Sequence, residues 1–317
     1  MASLLFVMRY PLHRDDNLKI KFDGQLAAAH TLGHDAFWIG WDSEGMWLCG
    51  AGGRELLKKC PLTRMPAYEK TLLYIDLMDA LRRAVRSRRF DLVYMRFMPV
   101  FHNARAALAA AKARGARLVV EHPTYPFENG KTSSLLRRPV FAYNAGIFQK
   151  IEPMIDLYAL IGDACEGTLG GRPAMNIVNG VDVEKLAPHR PRSDTEKIGM
   201  LALASMSNWQ GYDRLIAAMA AYHGGEDVTL HMVGGEGDGS LAAWKRMSEE
   251  FKLSGRVVFH GEAHGEKLDE IAAECDIGIG GLGLYRKGQF RSMTLKLREY
   301  MARGLPFVYA GGDPSIP

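Results

Sequence analysis

The sequence has few cysteines and no long apolar run, and each of these features argues against one class of protein. The chain of 317 residues contains four cysteines, and no two of them form a C-x-x-C pair. This spacing predicts buried or free thiols in a reducing cytoplasm and no metal site. No apolar run reaches membrane-spanning length, and the N-terminus has no signal-peptide pattern. The sequence therefore predicts neither a disulfide-rich secreted domain nor an integral membrane protein.

Neither sign of charge is in large excess. The formal net charge is +4 and the pI is about 8.8, which gives no reason to expect a nucleic-acid partner. Hydrophobic residues make up 47% of the chain and charged residues 24%. This balance is typical of a soluble globular protein, and the length allows one large or two ordinary domains.

Strand and helix patterns alternate through the first half of the chain. The predicted strands are Leu4–Arg9, Ala36–Gly40, Phe90–Arg96, Arg117–Glu121, Asp156–Ile161 and Met175–Asn179. The predicted helices are Leu18–Leu32, Thr71–Arg86, His102–Ala113 and Leu135–Ile151. Such alternation predicts a parallel sheet that is covered by helices on both faces.

A second alternating series follows Pro188–Lys197, a proline-rich and charged stretch that we predict to be a linker. Its predicted strands are Ile198–Ala204, Val228–Val233, Val257–His260, Asp276–Gly280 and Leu305–Ala310. Its predicted helices are Tyr212–Tyr222, Ala242–Phe251, Glu266–Cys275 and Thr294–Arg303. The predicted fold class is therefore α/β, with two Rossmann-like domains, residues 1–190 and 191–317, which face each other across a cleft. Because the last residues, 311–317, read as a loop, we expect the second domain to be C-terminally truncated.

A basic loop precedes the last predicted helix. Arg286, Lys287 and Arg291 lie in this loop, and the free amides and dipole of the helix start would add to their charge. Glu299, one turn further along, could accept hydrogen bonds from sugar hydroxyls. The pattern predicts a ligand with phosphate beside ribose, whereas the alternative reading is an ordinary solvated surface loop.

The same helix shows two distinct faces. An inward face is predicted for Leu297, Tyr300, Met301 and Gly304, which follow helical spacing. A different face carries Lys296, Glu299 and Arg303.

Residues 296–306, which read K-x-x-E-Y-M-A-x-G-x-P, resemble the donor-site helix of retaining glycosyltransferases with two domains (the GT-B fold), in the large family numbered four. The resemblance implies that Glu299 holds the ribose of a nucleotide-sugar, and that Lys296 and loop amides hold its diphosphate. It also implies a UDP-sugar donor, a glycan or lipid-linked acceptor, and hexosyl transfer with retention that needs no metal or cofactor. Bacterial polysaccharide synthesis is the implied setting.

Two departures from the family pattern concern the phosphate charge. Residues 207–214 resemble the family's first loop of the nucleotide domain, where Gly211 would border the diphosphate. Members often carry an arginine and a lysine in this loop, whereas this chain has uncharged Ser207 and Gln210. The family also has a pair of glutamates separated by seven residues. Glu299 fits the second glutamate of the pair, but Arg291 stands eight positions earlier, where the first would be. We expect the basic loop to supply the missing positive charge.

Polar residues at strand ends are the candidates in the first domain. His122 follows the predicted strand Arg117–Glu121, and in the resembling family a histidine in this region orients the donor sugar. Glu121 is the second polar group there, so we predict catalytic roles for both residues. Arg96 ends another strand and is predicted either to contact the acceptor or to form a surface ion pair.

Glycine-rich stretches offer two further readings. Residues 278–283 satisfy G-x-G-x-x-G formally, but no helix opens directly after them, so the match to a nicotinamide site is weak. Residues 234–239 are predicted to form a flexible turn, or to border a ligand at the end of a strand.

A peripheral membrane contact is a further possibility that the sequence raises. Basic residues on and after the helix 71–86 are Arg82, Arg83, Arg86, Arg88 and Arg89. The ordinary reading is a solvated helix face, and the alternative is docking on anionic lipid headgroups.

Two rival functions share the predicted architecture. One is a sugar-nucleotide epimerase, which would convert a UDP-sugar without an acceptor. The other is a non-catalytic protein that binds a nucleotide-sugar as a partner of another enzyme.

Overall fold

The computed structural model describes residues 1–13, 17–63, 65, 68–125, 138–162, 165, 167–191 and 197–316. The chain divides into two units, Met1–Ile177 and Val178–Pro317, so the division lies before the predicted boundary at residue 190. The segment that follows the division belongs to the second unit, within which the Asn179 side-chain amide donates to the Met293 carbonyl at 2.6 Å. Part of the predicted linker, residues 192–196, and the start of the predicted helix at residue 135 lie outside the described residues.

The first unit is built on a sheet whose described strands number nine. They are β1 (Ser3–Val7), β2 (Asp35–Trp41), β3 (Gly45–Gly50), β4 (Gly53–Lys59), β5 (Leu92–Arg96), β6 (Arg117–Tyr125), β7 (Leu157–Gly162), β8 (Thr168–Leu169) and β9 (Arg172–Asn176). Their order is β4-β3-β2-β1-β5-β6-β7-β9-β8. The run β2-β1-β5-β6-β7-β9 is parallel throughout. The strands β3, β4 and β8 pair antiparallel to their neighbours.

Helices cover both faces of this sheet. They are α1 (Asn17–Thr31), α2 (Leu72–Ser87), α3 (Ala104–Ala113) and α4 (Arg138–Ile151). Successive residues of β1 point to opposite faces, so Leu5 packs with Leu77 of α2 and Phe6 packs with Phe22 of α1. The predicted parallel sheet with two helical layers is confirmed for this unit.

The β3–β4 hairpin was not predicted. Its sequence is rich in glycine, which is disfavoured in strands, and the apolar alternation is short. The structure needs glycine at Gly45, because an added Cβ would lie 2.0 Å from the carbonyl oxygen of Lys58. The turn into β4 places Gly53 at a φ of +117°, which other residues rarely adopt. Glycines that suggested a loop therefore permit an antiparallel extension of the sheet.

The second unit carries a sheet in which all described pairings are parallel. Its strands are β10 (Lys197–Leu203), β11 (Asp227–Val233), β12 (Val257–Gly261), β13 (Ile277–Ile279) and β14 (Phe307–Val308), in the order β12-β11-β10-β13-β14. Its helices are α5 (Tyr212–Ala221), α6 (Ser240–Glu250), α7 (Glu266–Ala273) and α8 (Leu295–Arg303). Leu201 of β10 packs with Tyr300 of α8, while Ala202 packs with Ile216 of α5. This Rossmann-like arrangement agrees with the prediction.

Candidate functional site

Three loops meet at the carboxyl edge of the second sheet, where parallel sheets usually bind ligands. We call them the first loop (204–211), the second loop (234–239) and the third loop (280–294). The amide of Leu282 donates to the Gln210 carbonyl at 2.7 Å, and the amide of Met206 donates to the Gly235 carbonyl at 2.8 Å. An added Cβ on Gly211, whose φ is +72°, would lie 2.7 Å from the amide nitrogen of Gly283. Only glycine allows the first and third loops to pack this closely.

Arg286 of the third loop is held in an ion pair with Asp213, in the first turn of α5. Its Nη1 and Nη2 donate to the two carboxylate oxygens at 2.8 and 2.7 Å, and Nη1 also donates to the Asn208 carbonyl at 2.7 Å. The hydrogen bonds from Arg286 lower the pKa of Asp213. Arg286 thus ties the third loop to α5, and a diphosphate would have to share this guanidinium with Asp213.

The other two cations of the third loop are exposed. The Nζ of Lys287 lies 4.1 Å from the ring centroid of Trp209, in the first loop, a distance typical of a cation–π contact. Arg291 forms an isolated bridge with Gly312 through its backbone. Both side chains carry positive charge on the solvent side of the loops.

Lys296 is buried beneath the first loop. Its Nζ donates to Gln210 Oε1 at 2.6 Å and to the Tyr212 hydroxyl at 2.9 Å, and only 9% of the residue is exposed. Burial lowers the pKa of Lys296 to about 7. Within the part of the chain that the structure describes, no carboxylate pairs with this ammonium group, and its third N–H has no acceptor.

The predicted faces of α8 need correction. Met301, predicted to point inward, is 41% exposed, whereas Lys296 and Arg303, on the other predicted face, are buried. The helix is covered on a second side because the first loop lies over Lys296. The carbonyl of Ala187 accepts a hydrogen bond from Arg303 Nη1 at 3.2 Å. Gly304, also predicted inward, is exposed at the C-terminal cap with a φ of +71°.

Glu299 is only partly covered on α8. Its Oε1 accepts hydrogen bonds from Arg303 Nε and Nη2 at 3.3 and 3.0 Å, and Arg303 also pairs with Asp269 at 2.6 Å. Among the described residues, no donor reaches Oε2 of Glu299. One carboxylate oxygen therefore remains available for hydroxyl groups of a ligand.

The glycine-rich stretches have packing roles in the structure. The amides of Gly237, Asp238 and Gly239 donate to the carboxylate of Glu236 at 2.9, 3.1 and 2.7 Å, so this second-loop carboxylate already occupies the anion position before α6. In the stretch 278–283, an added Cβ on Gly278 would lie 2.6 Å from the ring of Tyr300. Gly278 thus allows the ring of Tyr300 to pack against β13.

Glu121 in the first unit is fully buried and engaged by four side chains. Its Oε1 accepts from Lys21 Nζ at 2.8 Å and Arg96 Nη1 at 2.6 Å, while Oε2 accepts from the Tyr94 hydroxyl at 2.7 Å and Gln25 Nε2 at 3.2 Å. Burial opposes ionisation, but the charges of Lys21 and Arg96 outweigh it and lower the pKa of Glu121. A carboxylate in this state is poorly suited to proton transfer. The surface ion pair considered for Arg96 is wrong, because its partner is this buried carboxylate.

His122 is packed among aromatic rings. Its ring centroid lies 4.2 Å from that of Phe97 in a stacked arrangement and 5.4 Å from that of Tyr158, and only 2% of the residue is exposed. Burial lowers the pKa of His122 to about 3, so the imidazole is neutral at pH 7. It can offer hydrogen bonds but no positive charge, and its predicted role at a donor sugar stays a prediction.

The basic cluster on α2 is partly engaged with the protein. Arg83 donates to the Leu57 carbonyl at 3.2 Å, and Arg89 donates to the Arg114 carbonyl at 3.2 Å. Arg88 stacks over Phe37, with 4.4 Å between Cζ and the ring centroid. The predicted lipid contact stays a prediction.

The described residues offer neither a cluster of metal ligands nor a membrane-spanning helix. No group of three or more histidine, cysteine, aspartate or glutamate side chains is arranged to hold a metal ion within these residues. None of the helices in these residues combines the length and the apolar character needed to cross a membrane.

The fold is that of the GT-B glycosyltransferases, as three solved structures show. HepE from Anabaena, in complex with UDP and glucose, is 16% identical, with a TM-score of 0.59 over 98% of this chain and 82% of that chain. Sucrose-phosphate synthase from Thermosynechococcus elongatus is 14% identical, with a TM-score of 0.68 over 98% and 82%. The catalytic domain of starch synthase IV from Arabidopsis thaliana, bound to ADP and acarbose, is 11% identical, with a TM-score of 0.62 over 99% and 86%.

The second unit also matches a family by sequence. Residues 197–314 match the family model described as Glycosyl transferases group 1, and they contain all three loops and α8. Among curated proteins, no sequence matches this chain. Residues 197–314 thus resemble the group 1 glycosyl transferases by sequence, and the chain has the GT-B fold of the three solved structures.

Proposed function

We propose that this enzyme moves a hexose from a nucleotide-diphosphate donor, a UDP-sugar, to a glycan or lipid-linked acceptor in polysaccharide synthesis. The transfer proceeds with retention, as in the family numbered four, and without a metal or cofactor. The enzyme works in the cytoplasm, with a peripheral membrane contact where the acceptor is lipid-linked. The observation that carries the proposal is Lys296, a buried cation that no described carboxylate neutralises.

An uncompensated buried ammonium group is costly, and an anionic ligand would remove that cost. Lys296 lies in the first turn of α8, and the N-cap residue, Thr294, makes no side-chain capping bond within the described residues. The amides of this turn are therefore suited to donate hydrogen bonds to a phosphate, as helix N-termini commonly do. Lys287 and Arg291 add exposed positive charge from the third loop.

The same arrangement suits the chemistry of sugar transfer. Cleavage of the bond between sugar and phosphate leaves negative charge on the diphosphate, and fixed donors stabilise this charge most where it develops. Each charge-assisted hydrogen bond contributes about 1.5–3 kcal/mol. In a reaction with retention, the acceptor hydroxyl attacks on the face that the diphosphate leaves, so no enzyme nucleophile is needed.

The nucleoside part of the donor would extend along α8. Glu299 has one carboxylate oxygen without a donor among the described residues, and it lies one turn beyond Lys296. This spacing supports a hydrogen bond from Glu299 to ribose hydroxyls when the diphosphate is at the helix start. HepE, which shares the fold, was crystallised with UDP-glucose, and this supports uridine as the nucleoside of the donor.

A screen of UDP-, GDP- and ADP-sugars tests the proposal, with thermal shift and nucleotide release as its readouts. Binding stabilises the folded state by about 2.7 kcal/mol when the ligand is at 100 times its Kd. We therefore expect UDP-glucose or a related UDP-sugar to raise Tm by several degrees and to release UDP when acceptor glycans are added.

Three other outcomes of the screen would change the assignment. Conversion of one UDP-sugar into another without an acceptor would identify an epimerase. Stabilisation with no nucleotide release would identify a binding protein. No response to any nucleotide-sugar would contradict the proposal altogether.

A further inference from the structure

A buried cluster of charges lies in the first unit, far along the sequence from the donor residues. Arg96, the last residue of β5, is the register partner of Glu121 in β6. Lys21 of α1 reaches the same carboxylate. The cluster therefore sits toward the carboxyl ends of two central parallel strands, the edge at which α/β sheets bind ligands.

Among the described residues, the charges of this cluster do not balance. Glu121 contributes one negative charge, while Lys21 and Arg96 contribute two positive charges. The other two groups on the carboxylate, Tyr94 and Gln25, are neutral donors. Buried charges are usually paired, so an excess of one cation at the ligand edge of a sheet calls for an explanation.

Both cations also have N–H groups that are not bonded to Glu121. Lys21 uses one of its three N–H groups and Arg96 one of its five on Glu121. No other acceptor for either side chain is found among the described residues. The side chain of Arg96 is 18% exposed and that of Lys21 is 6% exposed. Arg96 can thus reach an outside ligand while Glu121 holds its guanidinium in place.

We propose that the first unit binds an anionic group, a phosphate or carboxylate, through Arg96, with Lys21 beside it. Glu121 is a positioning residue, because it fixes both cations and does not meet the ligand. The planar guanidinium suits the oxygen geometry of such groups. If the group belongs to the acceptor, the acceptor is a phosphorylated or acidic sugar or lipid; this assignment to the acceptor rests on the proposed function.

A purely structural cluster is the competing explanation. It would fasten α1 to the sheet through Lys21 and would need no ligand. The two explanations differ in one measurable property, because only a binding site responds to added anions through Arg96.

The test is calorimetric titration of the full chain with inorganic phosphate and with glycerol 3-phosphate, with saturating UDP present to occupy the donor site. We expect Arg96→Gln to weaken binding at least tenfold, the effect of one lost charge-assisted hydrogen bond. Arg96→Lys keeps the pair with Glu121 but loses the planar fork, and we expect an intermediate loss. Arg105→Gln removes an exposed charge on α3 that has no described partner, and it should bind as the wild type does.

The source of the anion is resolved by a second arm, flotation with phosphatidylcholine vesicles that contain phosphatidic acid. Binding of soluble glycerol 3-phosphate assigns a free phosphate monoester, whereas Arg96-dependent binding of vesicles alone assigns a lipid headgroup. Equal binding by the wild type and Arg96→Gln in both arms, or no binding in either, overturns the proposal.

Failure of this proposal and failure of the proposed function are distinguishable. A chain that binds UDP but no phosphate at Arg96 lacks only the anion site. A chain may instead bind phosphate through Arg96 whether or not UDP is added to the sample, and yet not bind UDP itself. Such a chain lacks only the donor function. Circular dichroism and Tm of each variant confirm that it is folded before it is titrated.

Discussion

Glu121→Gln is expected to lower the free energy of unfolding by about 3–5 kcal/mol, the cost of breaking a buried ion pair by removing one partner. Glu121 is 0% exposed and lies between Lys21 and Arg96. Its loss leaves two partly or fully buried cations without a counter-charge. Urea unfolding, followed by circular dichroism, measures the change.

Protonation of Glu121 in acid should destabilise the protein as its substitution does, so the stability that Glu121 provides depends on pH. The pKa of Glu121 in the folded state is lowered, so its contribution is present above the pKa of an unfolded glutamate, about 4.3. The contribution is lost as the pH falls through the folded pKa. Stability of the wild type should therefore fall more steeply in acid than that of Glu121→Gln.

Glu55→Gln is the matched control, because Glu55 is an exposed carboxylate on β4. Its change should stay within about 0.5 kcal/mol, as is usual for surface substitutions. A loss below about 1 kcal/mol for Glu121→Gln would mean that the four hydrogen bonds to this carboxylate do not stabilise the unit.

Binding of UDP is expected to take up a proton at Lys296 above pH 7. The pKa of Lys296 is lowered to about 7 by burial, and a bound diphosphate would raise it again toward its usual value. Above pH 7 the unliganded side chain is neutral and must gain a proton when the anion binds. The affinity for UDP should then fall up to about tenfold for each pH unit between 7.5 and 9.

The groups that face Lys296 do not titrate in this window. Gln210 is neutral, and burial raises the pKa values of Tyr212 and Tyr300 far above 9. A phosphate monoester loses its second proton near pH 6, so UDP itself is fully ionised throughout.

Calorimetry in two buffers with different ionisation enthalpies measures the proton uptake directly. At pH 8.5 we expect close to one proton per UDP for the wild type and none for Lys296→Met, whose side chain fills a similar volume without charge. Arg303→Lys leaves Lys296 intact and should keep the uptake. An affinity that is flat from pH 7.5 to 9 in the wild type would show that the phosphate does not meet this ammonium group.

Local patterns predicted most of the architecture because they depend on neighbours in sequence. The alternation of apolar strands and amphipathic helices placed β10 and α5 within one or two residues, and Gly304 correctly marked the end of α8. The β3–β4 hairpin escaped notice because its glycines, including Gly45, are typical of loops. Its strands are specified by pairing with β2, which no short window of sequence shows.

The candidate sites depended on partners that lie far apart in the chain. Lys296 and Gln210 are separated by 86 residues, and Lys21 and Glu121 by 100 residues. A single sequence shows that these residues are polar, but it does not show that they meet. For the same reason the ion pair of Arg286 with Asp213, 73 residues away, was not predicted, and the role of Arg286 at a diphosphate stays a prediction. The local pair of Glu299 and Arg303, four residues apart, was within reach of helical spacing.

The central claim is that a diphosphate binds beside Lys296 at the start of α8, and comparison of UDP with uridine tests it most directly. Calorimetric titration should show that the wild type binds UDP at least tenfold more tightly than uridine, because charge-assisted hydrogen bonds to phosphate contribute about 1.5–3 kcal/mol each. In Lys296→Met this difference should largely disappear while the weak affinity for uridine is kept. A wild type that binds the two ligands equally, or a variant that retains the full preference for UDP, would contradict the account.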